Sequence, residues 1–343
     1  MSENLENLYI IVLNWNGSED TIACLKTIKN NTYNNYTIVL VDNGSESESL
    51  LILKSWCLDN FLKVVFYAKE IARNGGNDEG EKLLTNEISC ERLVFIENNE
   101  NLGFAKGNNV ALEYIKTKSS FAMLLNNDTL IEKDSISILM NFLCNNTDIM
   151  AATPQIRYFE PNDKIWNCGG KLTFFGSRKY FYANNKISKV PLKGHSSITF
   201  VTGCALIFKI NLTGILSEDF FFGEEDYEFS LRMQKNKFKM VCVYNSIIYH
   251  KVGSSIRKSH NLTNSIYLYY INRLINTRNY YTPLRWHVTR ILAYIYLPIL
   301  FLKNNINPIN SISLIKCINI YIGKNNGVDS NEFIRASNNQ TRI

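Results

Sequence analysis

Carboxylates and amides cluster where apolar runs stop, and that placement gives the chain its chemical capacity. Residues 121–129 read Phe-Ala-Met-Leu-Leu-Asn-Asn-Asp-Thr, five apolar residues of a buried strand followed by Asn126, Asn127 and Asp128. Clustered oxygen ligands at a strand end can hold a hard divalent cation, which takes carboxylate and amide oxygens at fixed geometry. A polar turn uses the same residue types to close a strand, so this segment alone leaves both readings open. Asp42 ends a second apolar run, in Val41-Asp42-Asn43-Gly44-Ser45. It can accept hydrogen bonds from a base or ribose, or simply join strand to helix. A third station is Glu224, Glu225, Asp226 and Glu228, directly after Phe220, Phe221 and Phe222. Acids at a helix start complement the macrodipole, but capping does not need four carboxylates beside that aromatic bulk. A carboxylate in a partly apolar cleft suits a general base. His250 follows the strand-like run SIIYH. A lone histidine is more often structural, yet an imidazole would help complete a shell whose one firm carboxylate is Asp128. His195, His260 and His287 have no such setting.

Apolar runs at 8–13, 36–41, 63–67, 92–96, 121–125 and 149–153 predict strands. Between them, helices are expected from Ser18 as N-cap to about residue 30, and over 46–58, 103–116 and 132–145. This alternation predicts an α/β fold with a doubly wound, mostly parallel sheet, in which ligands bind at the carboxyl ends of strands. Residues 69–91 are polar and rich in Gly and Asn, and read as an insertion or mobile loop. After Pro154 the aromatic and glycine-rich pattern predicts a smaller antiparallel part, with strands at 199–209 and 240–243 and a helix at 224–235. Residues 101–109, Asn-Leu-Gly-Phe-Ala-Lys-Gly-Asn-Asn, lead into a helix through glycines that permit close backbone approach. Neither G-x-G-x-x-G nor a Walker motif occurs, so dehydrogenase and P-loop readings are poor.

A chain of 343 residues holds one large domain or a domain with an appendage. Eight scattered cysteines without a C-x-x-C pair argue against structural zinc and a disulfide framework. The first residues lack a basic n-region, so no signal peptide is read there, and a cytoplasmic setting is expected. The apolar stretch at 291–302 is shorter than the roughly 18 residues of a spanning helix. From about residue 260 the chain reads as helical, aromatic and basic. That composition suits either a helical cap or a helix at an anionic membrane surface, on the inner face of the cell membrane. The net charge of +6 is too dispersed for nucleic-acid binding.

Seven segments then stand in order: IVLNWNGSEDTIACLKTI, IVLVDNGSES, NENLGFAKGNN, FAMLLNNDTLI, FVTGCALIFK, FFFGEEDYEFSLR and YHKVGSS. In these the chain resembles the inverting family 2 glycosyltransferases of GT-A fold, most closely the rhamnosyltransferase-like branch, over residues 8 to about 256. The resemblance implies a catalytic domain at 1–256, with a nucleotide-sugar half (1–153) and an acceptor half (154–256), and a C-terminal extension at 257–343. It implies that Asp42 contacts the donor nucleoside beside a wall formed by the turn containing Asn16, with Asn108 and Asn109 near the donor. Asn126 stands where many relatives carry the first acid of a D-x-D pair. That leaves nucleoside hydrogen bonding open but puts a second charged ligand in doubt. Asp128, with His250, is implied as ligand of Mg²⁺ or Mn²⁺, Asp226 of the Glu225-Asp226 pair as the base, and Gly203 as part of the acceptor side. The implied donor is a dTDP- or UDP-sugar, with rhamnose one option, and the implied acceptor a glycan or polyprenyl-linked glycan of a surface polysaccharide. A non-catalytic sugar-nucleotide-binding or assembly subunit of the same fold is the alternative. A nucleotidyltransferase is disfavoured, because residues 14–17 supply no glycine-rich basic loop.

Overall fold

The computed structural model describes residues 6–85, 87–252 and 262–337. The first half alternates as expected: β1 (Leu8–Asn14), α1 (Ser18–Lys29), β2 (Tyr36–Asp42), α2 (Ser47–Asn60), β3 (Lys63–Ala68), α3 (Lys69–Arg73), α4 (Asp78–Thr85), β4 (Arg92–Glu97), α5 (Gly103–Ile115), β5 (Phe121–Asn126), β6 (Thr129–Ile131) and α6 (Ser135–Asn145). The second half has β7 (Ile149–Tyr158), β8 (Ile165–Asn167), β9 (Gly170–Leu172), β10 (Arg178–Tyr180), β11 (His195–Ile198), β12 (Ala205–Lys209), α7 (Ile210–Thr213), α8 (Glu225–Lys235) and β13 (Lys239–His250). Four helices close the described chain: α9 (Leu262–Tyr280), α10 (Pro283–Lys303), α11 (Asn310–Lys324) and α12 (Ser330–Ser337).

The sheet runs β11-β13-β7-β12-β5-β1-β2-β4-β3, with β6 on β13 and β8 on β7. Strands β5, β1, β2, β4 and β3 are parallel, and β12 enters antiparallel between β5 and β7. Parallel strands must be covered on both faces, and alternate residues serve opposite sides. Ile11, Val41, Ile96 and Leu124 face a core closed by α5 and α8, while Ile10, Leu40, Phe95 and Met123 face one closed by α1, α2 and α6. A third cluster joins Phe220 to Ile271 and Leu274 of α9, Phe301 of α10 and Ile318 of α11. Among the described residues no helix is long and apolar enough to cross a membrane.

Several local expectations change, among them the strand expected at 199–209, which begins only at Ala205 as β12. Residues 69–91 form two short helices and a 3-10 turn, because Glu81 of α4 is anchored from elsewhere: Tyr67 and Tyr114 donate their hydroxyls to it and Lys118 pairs with it at 2.6 Å. Ser18 is the first helical residue and Gly17 the N-cap, while Asn14 Oδ1 accepts from Gly17 N and Thr21 Oγ1. Strand β7 passes through Pro154, opposite a register shift of β13 between Val243 and Ile247. A bulge is where a residue lacking its N–H fits a sheet. β6 is an additional strand, too short to show a period. Residues 253–255 of the YHKVGSS segment and the boundary at 256 lie outside the described residues.

Candidate active site

The parallel registers bring the sequence stations to one edge. Asn14 of β1 lies opposite Asp42 of β2, and Leu13 opposite Asn126 of β5. Buried Asn14 donates from Nδ2 to Asp42 Oδ1 (2.9 Å) and to Ser45 Oγ (3.0 Å), and Ser45 N donates to Asp42 Oδ2 (3.0 Å). Asn16, at φ +53°, accepts from Glu46 N through Oδ1 at 2.7 Å. Asp42 and Asn16 therefore brace the β1 and β2 turns against each other. Asn127 Nδ2 donates to Thr21 Oγ1 at 3.0 Å, which ties the end of β5 to the same turn.

Asp128 and His250 meet because β6 pairs with β13, with His250 opposite Thr129. His250 Nε2 stands 3.2 Å from Asp128 Oδ1, both side chains are buried, and the imidazole packs edge-on to Trp166. Burial opposes the imidazolium, while Cys204 and the Asp128 carboxylate favour it, and together they push His250 up to about 10.

Asp226 opens α8. Burial pushes it up to about 6, against the pull of the Arg178 guanidinium, 3.8 Å away. The residue before the helix is unusual: Glu224 has φ +75°, a left-handed conformation that costs a non-glycine residue about 1–3 kcal/mol. Arg178 Nη2 holds Glu224 Oε1 at 2.5 Å and Arg273 Nε holds Oε2 at 2.6 Å. Asn276 Nδ2 donates to the Glu224 carbonyl, and Asn272 Nδ2 to those of Phe222 and Gly223. Arg273 also stacks 3.6 Å over the Tyr227 ring. Helix α9 thus fixes the turn before Asp226. Sequence reasoning missed Arg178, Asn272, Arg273 and Asn276. Arg178 and Arg273 lie over 45 residues from Glu224, and no local pattern marks them.

The 201–204 segment links both halves of the site. Ser230 Oγ donates to the Asp226 carbonyl and accepts from Val201 N, and Asn126 N donates to the Cys204 carbonyl. Gly203 faces Phe104, where a Cβ would come within 3.1 Å of the ring. Glu225 is buried, accepts from Gly223 N at 2.7 Å and is pushed up to about 8, chiefly by burial. Two residues expected near the donor are hydrogen-bonded within the protein. Asn109 is fully buried, donating to Leu216 O and Glu218 Oε1 and accepting from Leu216 N, while Asn108 Nδ2 donates to Phe104 O in its own helix.

Asp128 and His250 fit a divalent cation in donor type, one hard oxygen and one imidazole nitrogen. Buried His250 Nδ1 has no hydrogen-bond partner among the described residues. No group of three or more His, Cys, Asp or Glu suited to a metal occurs among them. Two protein ligands leave the rest of a cation's shell to water or a bound anion, as is usual for Mg²⁺-type sites.

An open, mostly parallel sheet whose strand ends converge on this pair, with an antiparallel strand inserted and an acid-bearing helix behind it, defines a GT-A-type fold. A family model described as "Glycosyltransferase like family 2" matches residues 6–265, and the chain belongs to that family. Two solved structures are similar in fold. GalNAc-T7, solved with UDP, GalNAc and Mn²⁺, aligns at TM-score 0.58 and 14% identity over 87% of this chain and 51% of its own. The mannosyltransferase PcManGT from Pyrobaculum calidifontis, in complex with GDP-Man and Mn²⁺, aligns at TM-score 0.54 and 12% identity over 92% and 74%. The chain thus spans about half the length of the first of these. No curated protein matches in sequence.

Proposed function

We propose that the protein is a metal-dependent inverting glycosyltransferase, moving a sugar from a nucleotide-sugar to a hydroxyl of a glycan or lipid-linked glycan. The observation that carries this is the pairing of a buried Asp128–His250 donor set at the sheet edge with Asp226, joined through residues 201–204. Family membership supports it, and both solved neighbours hold a nucleotide and Mn²⁺. Asp128 and His250 would hold Mg²⁺ or Mn²⁺, which when bound neutralises diphosphate charge. Asp42 and the Asn16 turn would line the nucleoside pocket with Asn126, whose side chain has no hydrogen bond within the described protein.

Asp226 removes the proton of the acceptor hydroxyl. The oxygen then bonds to the anomeric carbon as the carbon–diphosphate bond breaks on the opposite face, so configuration inverts. Arg178 keeps Asp226 ionised near neutral pH, the condition for a base. A dTDP- or UDP-sugar is the donor class taken from the motif resemblance, with rhamnose one option and surface polysaccharide the destination. Nucleotide release should depend on Mn²⁺ and acceptor, and Asp226→Asn should cut it by about 10²–10³-fold or more while donor binding persists. Turnover by the variant near the wild-type rate would remove Asp226 from the role of base.

A further inference from the structure

Helix α10 is largely apolar, yet only one side of it is buried. Thr289, Leu297 and Phe301 turn inward, against the other C-terminal helices. The opposite side carries Leu284, Ile291, Ile295, Ile299 and Leu302, spaced to share one face and 45–76% exposed. An exposed apolar patch of this extent marks an interaction surface.

Two observations identify the partner. The first is charge. From residue 262 to 328 there are seven Lys and Arg and no Asp or Glu. On α10, Arg285 and Lys303 fall along one flank of the apolar stripe, by helical periodicity. Apolar residues beside a cationic flank match an anionic bilayer interface. A second copy of the chain would set like charges against each other. The second observation is position. The loop between β9 and β10 exposes Phe174 and Phe175, and Arg285 Nε donates to the Phe174 carbonyl at 2.7 Å while its guanidinium lies 4.5 Å over that ring. The same loop leads into Arg178, the partner of Asp226. The apolar surface thus continues to the acceptor side of the site.

We propose that the outer face of α10, with the tip formed by Phe174 and Phe175, docks the protein in the plane of an anionic membrane surface. This rests on the proposed transfer to a lipid-linked acceptor, which docking would present beside Asp226. Flotation of the full chain with phosphatidylcholine vesicles, with and without phosphatidylglycerol, tests it. Wild type should float with the anionic vesicles at low salt and be released as salt rises. Ile295→Glu combined with Ile299→Glu should weaken flotation by about tenfold or more, with an unchanged thermal unfolding profile. If that pair disturbs folding, Lys303→Gln should weaken binding and flatten its salt dependence. Wild type that stays with neither vesicle, or glutamate variants that float like wild type, would overturn the proposal. So would a dimer in sedimentation that the same substitutions dissociate, without vesicle binding. The thermal shift produced by nucleotide-sugar with Mn²⁺ separates the two readings. Flotation without a donor shift refutes transfer and leaves docking standing; a donor shift without flotation refutes docking alone.

Discussion

Asp226 lies where burial and a guanidinium pull in opposite directions, and Arg178 decides its charge at working pH. Replacing Arg178 with Gln removes the lowering influence, so the pKa of Asp226 rises. The acid limb of the kcat/KM profile should then move to higher pH, and Arg178→Lys should restore it in part; an unmoved limb would show that Arg178 only shapes the loop. Glu225 offers a stability test. Burial raises it to about 8, so between its ordinary value and about 8 the folded chain binds a proton that the unfolded chain has lost. Stability must therefore fall as pH rises through that window, by at most ~1.4 kcal/mol per pH unit. Glu225→Gln, which keeps an acceptor for Gly223 N, should lessen this slope in urea titrations taken from acid to mildly alkaline pH, leaving the parts that Asp226 and His250 contribute. At this scale the carboxylates were legible, because apolar runs flank them. Their electrostatic partners were not, because Arg178 and Arg273 reach Glu224 only through the tertiary fold. The sequence placed Asn109 near the donor, but not the bonds by which it ties α5 to Leu216 and Glu218, since those residues lie far along the chain.

Helix α9 extends the site into what the sequence marked as a separate extension. Arg273 is buried against buried Glu224, and Arg273→Met would leave that carboxylate with Arg178 as its remaining ion-pair partner. Removing one partner of a buried ion pair costs about 3–5 kcal/mol, at the upper end here only if the left-handed turn at Glu224 also relaxes. Denaturant unfolding should register the loss, and transfer should fall with it. Helix α5 is docked by its first residue. Gly103 has φ +79°, and a Cβ there would lie 2.0 Å from the Phe221 carbonyl that accepts from Phe104 N. Gly103→Ala should therefore destabilise by more than about 1 kcal/mol and disturb the loop that leads to Asp226. The long parallel strands were legible because five or six apolar residues in a row leave little choice. Three-residue β6 was not, although it sets His250 beside Asp128. The helices at 69–91 escaped notice because what holds them, Tyr67, Tyr114 and Lys118, lies on other elements.

On the scale of the whole molecule, one sheet edge collects Asn14, Asp42, Asn126 and Asp128, while α8, α9 and the β9–β10 loop close round Asp226. The outer face of α10 continues that side into an apolar, cationic surface. The central claim is that Asp128 and His250 form the metal-dependent half of a donor site. Thermal unfolding across dTDP-, UDP- and GDP-sugars, with and without Mn²⁺, tests it most directly, since a ligand that binds only the folded state raises the midpoint. One nucleotide class should raise the wild-type midpoint by a few degrees with Mn²⁺ present, and Asp128→Ala should lose that increment while folding normally. A chain that responds to no nucleotide-sugar, or whose response needs neither Mn²⁺ nor Asp128, would contradict the account.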